Sequence, residues 1–154
     1  MTLKKPGRQA ARERVPSEHW TPGEAMQFDA VVSACALVAS ADGCVTPDER
    51  RRALDRMRRL HAVSIFGVEE ALEAFETLIA RIDRDCVDGV EIAETAVRRL
   101  KGRRGPSFLL IEATCDVAAS DGSFDPEERA TVLRLCALLD VEPDAFRLFE
   151  TQLA

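Results

Sequence analysis

Residues 34–54 read ACALVASADGCVTPDERRRAL, and residues 113–133 read ATCDVAASDGSFDPEERATVL. At an offset of 79 the two stretches share Ala34/Ala113, Val38/Val117, Ala39/Ala118, Asp42/Asp121, Gly43/Gly122, Pro47/Pro126, Glu49/Glu128, Arg50/Arg129 and Leu54/Leu133. An internal repeat of this kind sets the architecture before any single residue is interpreted, because each copy is one supersecondary unit that buries its apolar face against a neighbour. It also puts an Asp-Gly turn and a Pro-x-Glu helix start at two matching places, where a site should be sought.

Around both copies the chain reads as helix. Thr21-Pro22-Gly23-Glu24 is a capping box with proline at the first helical position. Met26, Phe28, Val31, Val32, Cys35, Val38 and Ala39 follow as an apolar stripe, predicting a helix over 22–41 that Gly43 ends. Thr46-Pro47-Asp48-Glu49 opens a second helix with Ala53, Leu54, Met57 and Leu60 on its inner side. After a loop near 61–67, a third carries Leu72, Phe75, Leu78, Ile79 and Ile82 at three-to-four spacing. A shorter helix runs from about Gly89 to Lys101 before the breakers Gly102-Arg103-Arg104-Gly105-Pro106. The second half repeats the plan, with helices from Pro106 to about Ser120, from Asp125-Pro126-Glu127-Glu128 to near Leu139, and from Pro143 through Phe146, Phe149 and Leu153. The third helices match as well, 71–75 against 145–149 at an offset of 74, so the first repeat's loop is five residues longer.

No stretch alternates with period two between turns. The prediction is an all-α, seven-helix bundle made of two three-helix repeats related by a pseudo-two-fold, plus a linker helix. Repeat one is 21–86, the linker helix 88–102 and repeat two 105–154. The long helices 22–41 and 106–120 pack at the centre. Residues 1–20 read as a basic flexible tail and 21–154 as a single helical domain.

Composition narrows the function. The 154 residues are about one domain on the usual length prior, and 46% hydrophobic content suits a globular core. No apolar run is long enough for a transmembrane helix, and the start MTLKKPGRQAARERV lacks the apolar segment of a secretory signal. Five cysteines without a CxxC pair fit reduced thiols in a cytoplasmic protein. Four of them lie on apolar stretches; the fifth, Cys44 in the first turn, has Ser123 as its repeat partner, which argues against a catalytic thiol. Residues 1–20 hold five Lys/Arg and two Glu, a balance of +3; the remainder holds 16 basic and 25 acidic groups, a balance of −9. An acidic body argues against nucleic acid as the main partner. The only histidines are His19 and His61, no nucleophile–His arrangement can be spaced out, and neither GxxxxGK[ST] nor GxGxxG occurs. No enzyme and no organic cofactor are expected.

Asp42 and Asp121 each stand at the C-terminal end of a helix, where the macrodipole disfavours a carboxylate. A local rule broken twice in matching places marks a candidate site. Seven residues on, Glu49 and Glu128 occupy the third position of the next helix, and the intervening turn folds that helix back. Carboxylate oxygens with turn carbonyls and water suit a divalent cation, Ca²⁺ or Mg²⁺ ahead of Zn²⁺. A purely structural reading competes: Glu49 and Glu128 close capping boxes with Thr46 and Asp125, and the aspartates accept hydrogen bonds from their own turns. The motif is not an EF-hand, since Asp to Glu spans eight positions rather than twelve. Two charged faces are candidate partner sites. One holds Arg52, Arg56 and Arg59 within the six arginines of Arg50–Arg59; the other holds Glu112 and Asp116, the latter standing where the first repeat has Leu37. Solvated helix faces are the plain alternative for both.

The doubled pattern ValAla-x-x-AspGly-x-x-x-Pro-x-Glu-Arg, at 38–50 and 117–129, resembles the TerB-like tellurite-resistance proteins, as do seven helices over 22–154. The resemblance implies a non-catalytic, mainly cytoplasmic stress-response protein, peripheral at most to the inner membrane face. It implies metal binding through acidic residues, carried here by Asp42, Glu49, Asp121 and Glu128. It further implies protein partners, among them a membrane-embedded and a calcium-binding member of the same system. The arginine-rich second helix departs from the family's acidic pattern. The competing function is a helical interaction adaptor whose Asp-Gly turns are structural and bind no metal.

Overall fold

Thr21 opens the first helix as the capping box predicts: its hydroxyl accepts from Glu24 N–H at 3.1 Å, and Glu24 Oε1 accepts from Thr21 N–H at 2.9 Å. The computed structural model describes residues 20–43, 45–64, 66–118 and 125–143, the side chains of 61 and 62 excepted. These form α1 (Pro22–Ala39), α2 (Pro47–Arg59), the single turn α3 (His61–Ser64), α4 (Val68–Arg84), α5 (Cys86–Arg98), α6 (Arg104–Ala118) and α7 (Pro126–Leu139). Among the described residues there is no strand, so the fold is all-helical, with six long helices and one short turn. The tail 1–19, Cys44, the turn 119–124 and the last expected helix beyond Pro143 lie outside the described residues.

Helix α1 is the core of the bundle. Its burial is not a stripe: Phe28 and every residue from Ala30 to Val38 are buried. A helix buried all round is one that other elements surround, and α1 packs against α2, α3, α4, α5, α6 and α7. Small residues (Ala30, Ser33, Ala34, Ala36) let those neighbours approach. Helix α6 is its principal partner in the second half, with Leu110, Ile111, Ala113, Thr114, Cys115, Val117 and Ala118 buried. Thr114 Oγ1 donates to Ile111 O at 2.8 Å, so its burial leaves no hydroxyl unpaired. Both helices expected at the centre are therefore the most enclosed.

Around them the amphipathic helices turn one face inward: Ala53 and Met57 on α2, Ala71, Phe75, Ile79 and Ile82 on α4, Ala93, Ala96 and Val97 on α5, Val132, Leu135, Cys136 and Leu139 on α7. Trp20 closes the open end of α1, with its ring 4.7 Å from Phe28 and 5.4 Å from Phe66, centroid to centroid.

Three boundaries differ from the sequence reading. Helix α1 ends at Ala39 rather than 41, with Ser40 as C-cap. The linker helix runs over 86–98 rather than 88–102, because Asp85 caps it by accepting from Asp88 N–H at 3.2 Å and residues 99–102 leave the helix as turns. Helix α6 begins at Arg104, two residues before the proline expected to open it.

Candidate functional site

The end of α1 builds the first Asp-Gly turn. Ser40 N–H donates to Ala36 O at 3.0 Å, Ala41 N–H to Val38 O at 3.2 Å and Gly43 N–H to Ser40 O at 3.1 Å. Gly43 adopts φ +115° with open space where a Cβ would stand, so backbone conformation rather than crowding calls for glycine here. Asp42 is exposed at the turn. Val45 returns to the core, and Thr46 starts α2 immediately after it.

Both predicted glutamates close capping boxes. Thr46 N–H donates to Glu49 Oε1 at 2.9 Å while Glu49 N–H donates to Thr46 Oγ1 at 3.1 Å. In the second copy Asp125 N–H donates to Glu128 Oε1 at 3.1 Å and Glu128 N–H to Asp125 Oδ1 at 2.7 Å. One oxygen of each glutamate is thus engaged at a helix start, which supplies the structural role that the sequence allowed. Asp121 lies outside the described residues; Asp42 and Glu49 are the described pair.

Among the described residues no three His, Cys, Asp or Glu side chains gather closely enough to hold a metal ion. A closed Ca²⁺ site takes about six to eight oxygen ligands, and a Zn²⁺ site wants nitrogen or sulfur. The donors at the first turn are an exposed carboxylate, a capping glutamate and backbone carbonyls. Those donors are all oxygens and fewer than a closed site needs.

The two charged faces stand as follows. Arg52 and Arg59 are exposed and Arg56 half-buried on α2, at i, i+4 and i+7. Glu112 and Asp116 are exposed at i and i+4 on α6, which packs against α2. Other arginines of α2 are engaged: Arg51 with Asp48 at 2.9 Å, Arg58 with Asp55 at 3.3 Å, and Arg50 with Glu76 of α4 at 3.6 Å.

A cleft of about 500 Å³, which sequence reasoning missed, opens beside the first turn. Ser40, Gly43, Asp83, Cys86, Glu127 and Arg134 are among its lining residues. Arg134 bridges it to the linker helix, with Nε and Nη2 donating to the two carboxylate oxygens of Glu94 at 3.1 and 3.0 Å. These residues come from α1, α4, α5, α7 and the connections between them, so no linear motif announces them. Cys86 is exposed, whereas burial pushes the thiols of Cys35 and Cys115 up to about 12 and that of Cys136 up to about 11.

Taken with the doubled turns, the fold defines an all-helical module whose signature sits at two helix starts. The family model described as tellurite resistance protein TerB matches residues 28–151, and the chain belongs to that family. The match takes in both turns and the linker helix between them and leaves out the basic first 20 residues. Members of the family are generally non-enzymatic. Neither curated proteins nor solved structures give a match. Among the described residues, no helix is long and apolar enough to cross a membrane.

Proposed function

We propose that the protein is a non-catalytic accessory component of a tellurite-resistance-type stress response. It binds a hydrated divalent cation, Ca²⁺ or Mg²⁺ rather than Zn²⁺, at its Asp-Gly/Pro-x-Glu turns, and it acts with protein partners. Asp42 and Glu49 serve one turn, Asp121 and Glu128 the other. Membership of the TerB family over residues 28–151 is the observation that carries this reading. The position of Asp42 supports it: an exposed carboxylate at the negative end of α1 is disfavoured by a few tenths to about 1 kcal/mol, and a bound cation reverses that term. Residues 21–154 act as one domain in which the two repeats are related by a pseudo-two-fold, so the two turns are equivalent sites. The partners are a membrane-embedded and a calcium-binding protein of the same system, met at the cytoplasmic membrane face.

A second reading has its own observation. The capping boxes of Glu49 and Glu128 are complete, so both helix starts are held without any ion, and the protein is then an interaction adaptor with no metal. Isothermal titration of Ca²⁺ and Mg²⁺ into the full chain separates the two. The cation reading expects a saturable heat that Asp42→Asn and Asp121→Asn each reduce. No heat, or a heat untouched by both changes, leaves the adaptor.

A further inference from the structure

A second cleft, of about 400 Å³, lies between α1, α4 and α5, and none of its lining belongs to the Asp-Gly turns. Its walls are apolar, with Val32 on α1, Leu78 on α4, and Ile92 and Ala96 on α5. Ser33 also lines it and is only 6% exposed. The Ser33 hydroxyl makes no hydrogen bond among the described residues, whereas the hydroxyl of Thr95, in the same lining, donates to Glu91 O at 2.8 Å. Buried hydroxyls are as a rule paired, so an unpaired one facing a cleft calls for an explanation. Asp29 and Arg99 complete the lining. Arg99 is near enough to act on the Asp29 charge, yet no ion pair joins the two, and neither has another partner among the described residues. Asp29, Val32 and Ser33 share one face of α1 at i, i+3 and i+4, and Ile92, Ala96 and Arg99 share one face of α5 at i, i+4 and i+7.

We infer that this cleft binds a free α-amino acid with a large aliphatic or aromatic side chain. Arg99 takes its carboxylate, Asp29 its ammonium, Ser33 donates a hydroxyl to the carboxylate, and Val32, Leu78 and Ile92 hold its side chain. An apolar slot with a few convergent polar groups is the usual form of a small-molecule site, and the volume lies within the range of such sites. The guanidinium fork matches a carboxylate in bidentate geometry. A ligand carrying only a carboxylate is opposed, because Asp29 and Glu91 outnumber Arg99 in the lining. A ligand carrying only an ammonium leaves Arg99 and Ser33 unmet. A partner protein fits poorly: of the four large apolar side chains exposed among the described residues, only Ile92 lies in this cleft, too little for a protein interface.

The test is isothermal titration of the full chain with L-leucine, L-phenylalanine and L-methionine. Glycine, isopentylamine and isocaproate, which lack the side chain, the carboxylate and the ammonium in turn, are run beside them. Wild type should give saturable binding to at least one of the three amino acids, with each of the three analogues weaker by about tenfold or more. Arg99→Gln should weaken the amino acid by about tenfold or more and Ser33→Ala by about threefold or more. Arg59→Gln, at an exposed arginine of α2 outside the cleft, should weaken it by under about twofold. Melting without ligand separates binding from folding. Ser33→Ala removes a hydroxyl that the fold does not bond, so it should melt no lower than wild type while binding less. A lower melting temperature for Ser33→Ala overturns the inference, since the hydroxyl then serves the fold. So do no binding of any of the three amino acids, an analogue that binds as tightly as they do, and equal weakening by Arg59→Gln.

Discussion

Gly89 decides how closely α4 and α5 can approach, and Gly89→Ala sets two effects against each other. Alanine is the better helix former by about 1 kcal/mol. Against that, a Cβ at Gly89 would stand 2.7 Å from both Cα and Cγ1 of Ile82 and 2.9 Å from its backbone nitrogen. Two of those three atoms are main chain, so no rotamer change relieves the clash; the helices must move apart along a buried seam. Overpacking of this kind costs about 1–3 kcal/mol, and the upper half of that range applies where backbone must shift. The net expectation is a loss of about 1–2 kcal/mol, a fall in melting temperature of roughly 3–8 °C for a domain of this size. Gly105→Ala is the control: beyond its two chain neighbours nothing lies within 4 Å of its Cβ and its φ is not positive, so the gain in helix propensity is set only against the crowding of Pro106 on the residue before it, and stability should change by less than about 1 kcal/mol. Urea and thermal unfolding followed by far-UV circular dichroism measure both. A Gly89→Ala protein as stable as wild type, or more so, refutes the close contact between α4 and α5.

Thr46→Ala removes the hydroxyl that accepts from Glu49 N–H and should cost about 1 kcal/mol in urea denaturation, with an unchanged midpoint counting against the cap. With a thiol reagent at mildly alkaline pH, Cys86→Ser should delete one rapidly reacting equivalent from the native protein. Cys35→Ser, Cys115→Ser and Cys136→Ser should delete none, since those thiols are buried and held at about 12, 12 and 11. Partial desolvation raises the carboxyl pKa of Asp29, which stays exposed on α1, above its ordinary 3.8, with Arg99 pulling the other way. Its stability contribution is then fully present below the unfolded value and is lost as pH rises through the folded one. Asp29→Asn should therefore flatten that part of the stability–pH curve, and an unaltered slope between the two proteins removes the effect.

Much of the fold is legible in the chain because helix starts are chemically explicit. Thr21, Thr46 and Asp125 each stand before a proline with glutamate at the third position, and all three form complete boxes. The linker helix is misplaced by a few residues because its cap, Asp85, precedes Cys86 and Val87 without a proline to mark it. The full burial of α1 is hidden for a different reason: Ala30, Ser33, Ala34 and Ala36 add little to an apolar pattern yet are what permit close neighbours. At the site, doubling makes Asp42 and Glu49 stand out from one sequence. The cleft beside them does not stand out, because Glu94 and Arg134 are 40 residues apart and meet only when α5 packs on α7. The close approach of Ile82 to Gly89 is equally silent, being a property of two helix axes rather than of either segment.

The most direct test of the cation account is thermal melting in EDTA and in millimolar Ca²⁺, Mg²⁺, Mn²⁺ and Zn²⁺, for wild type, Asp42→Asn and Asp121→Asn. An ion present at 100 times its dissociation constant adds about 2.7 kcal/mol to the folded state, which for this chain is a rise of roughly 5–10 °C. The account predicts that rise with Ca²⁺ or Mg²⁺, little with Zn²⁺, and its reduction in each variant. Melting curves that coincide in EDTA and in every cation, for all three proteins, contradict it.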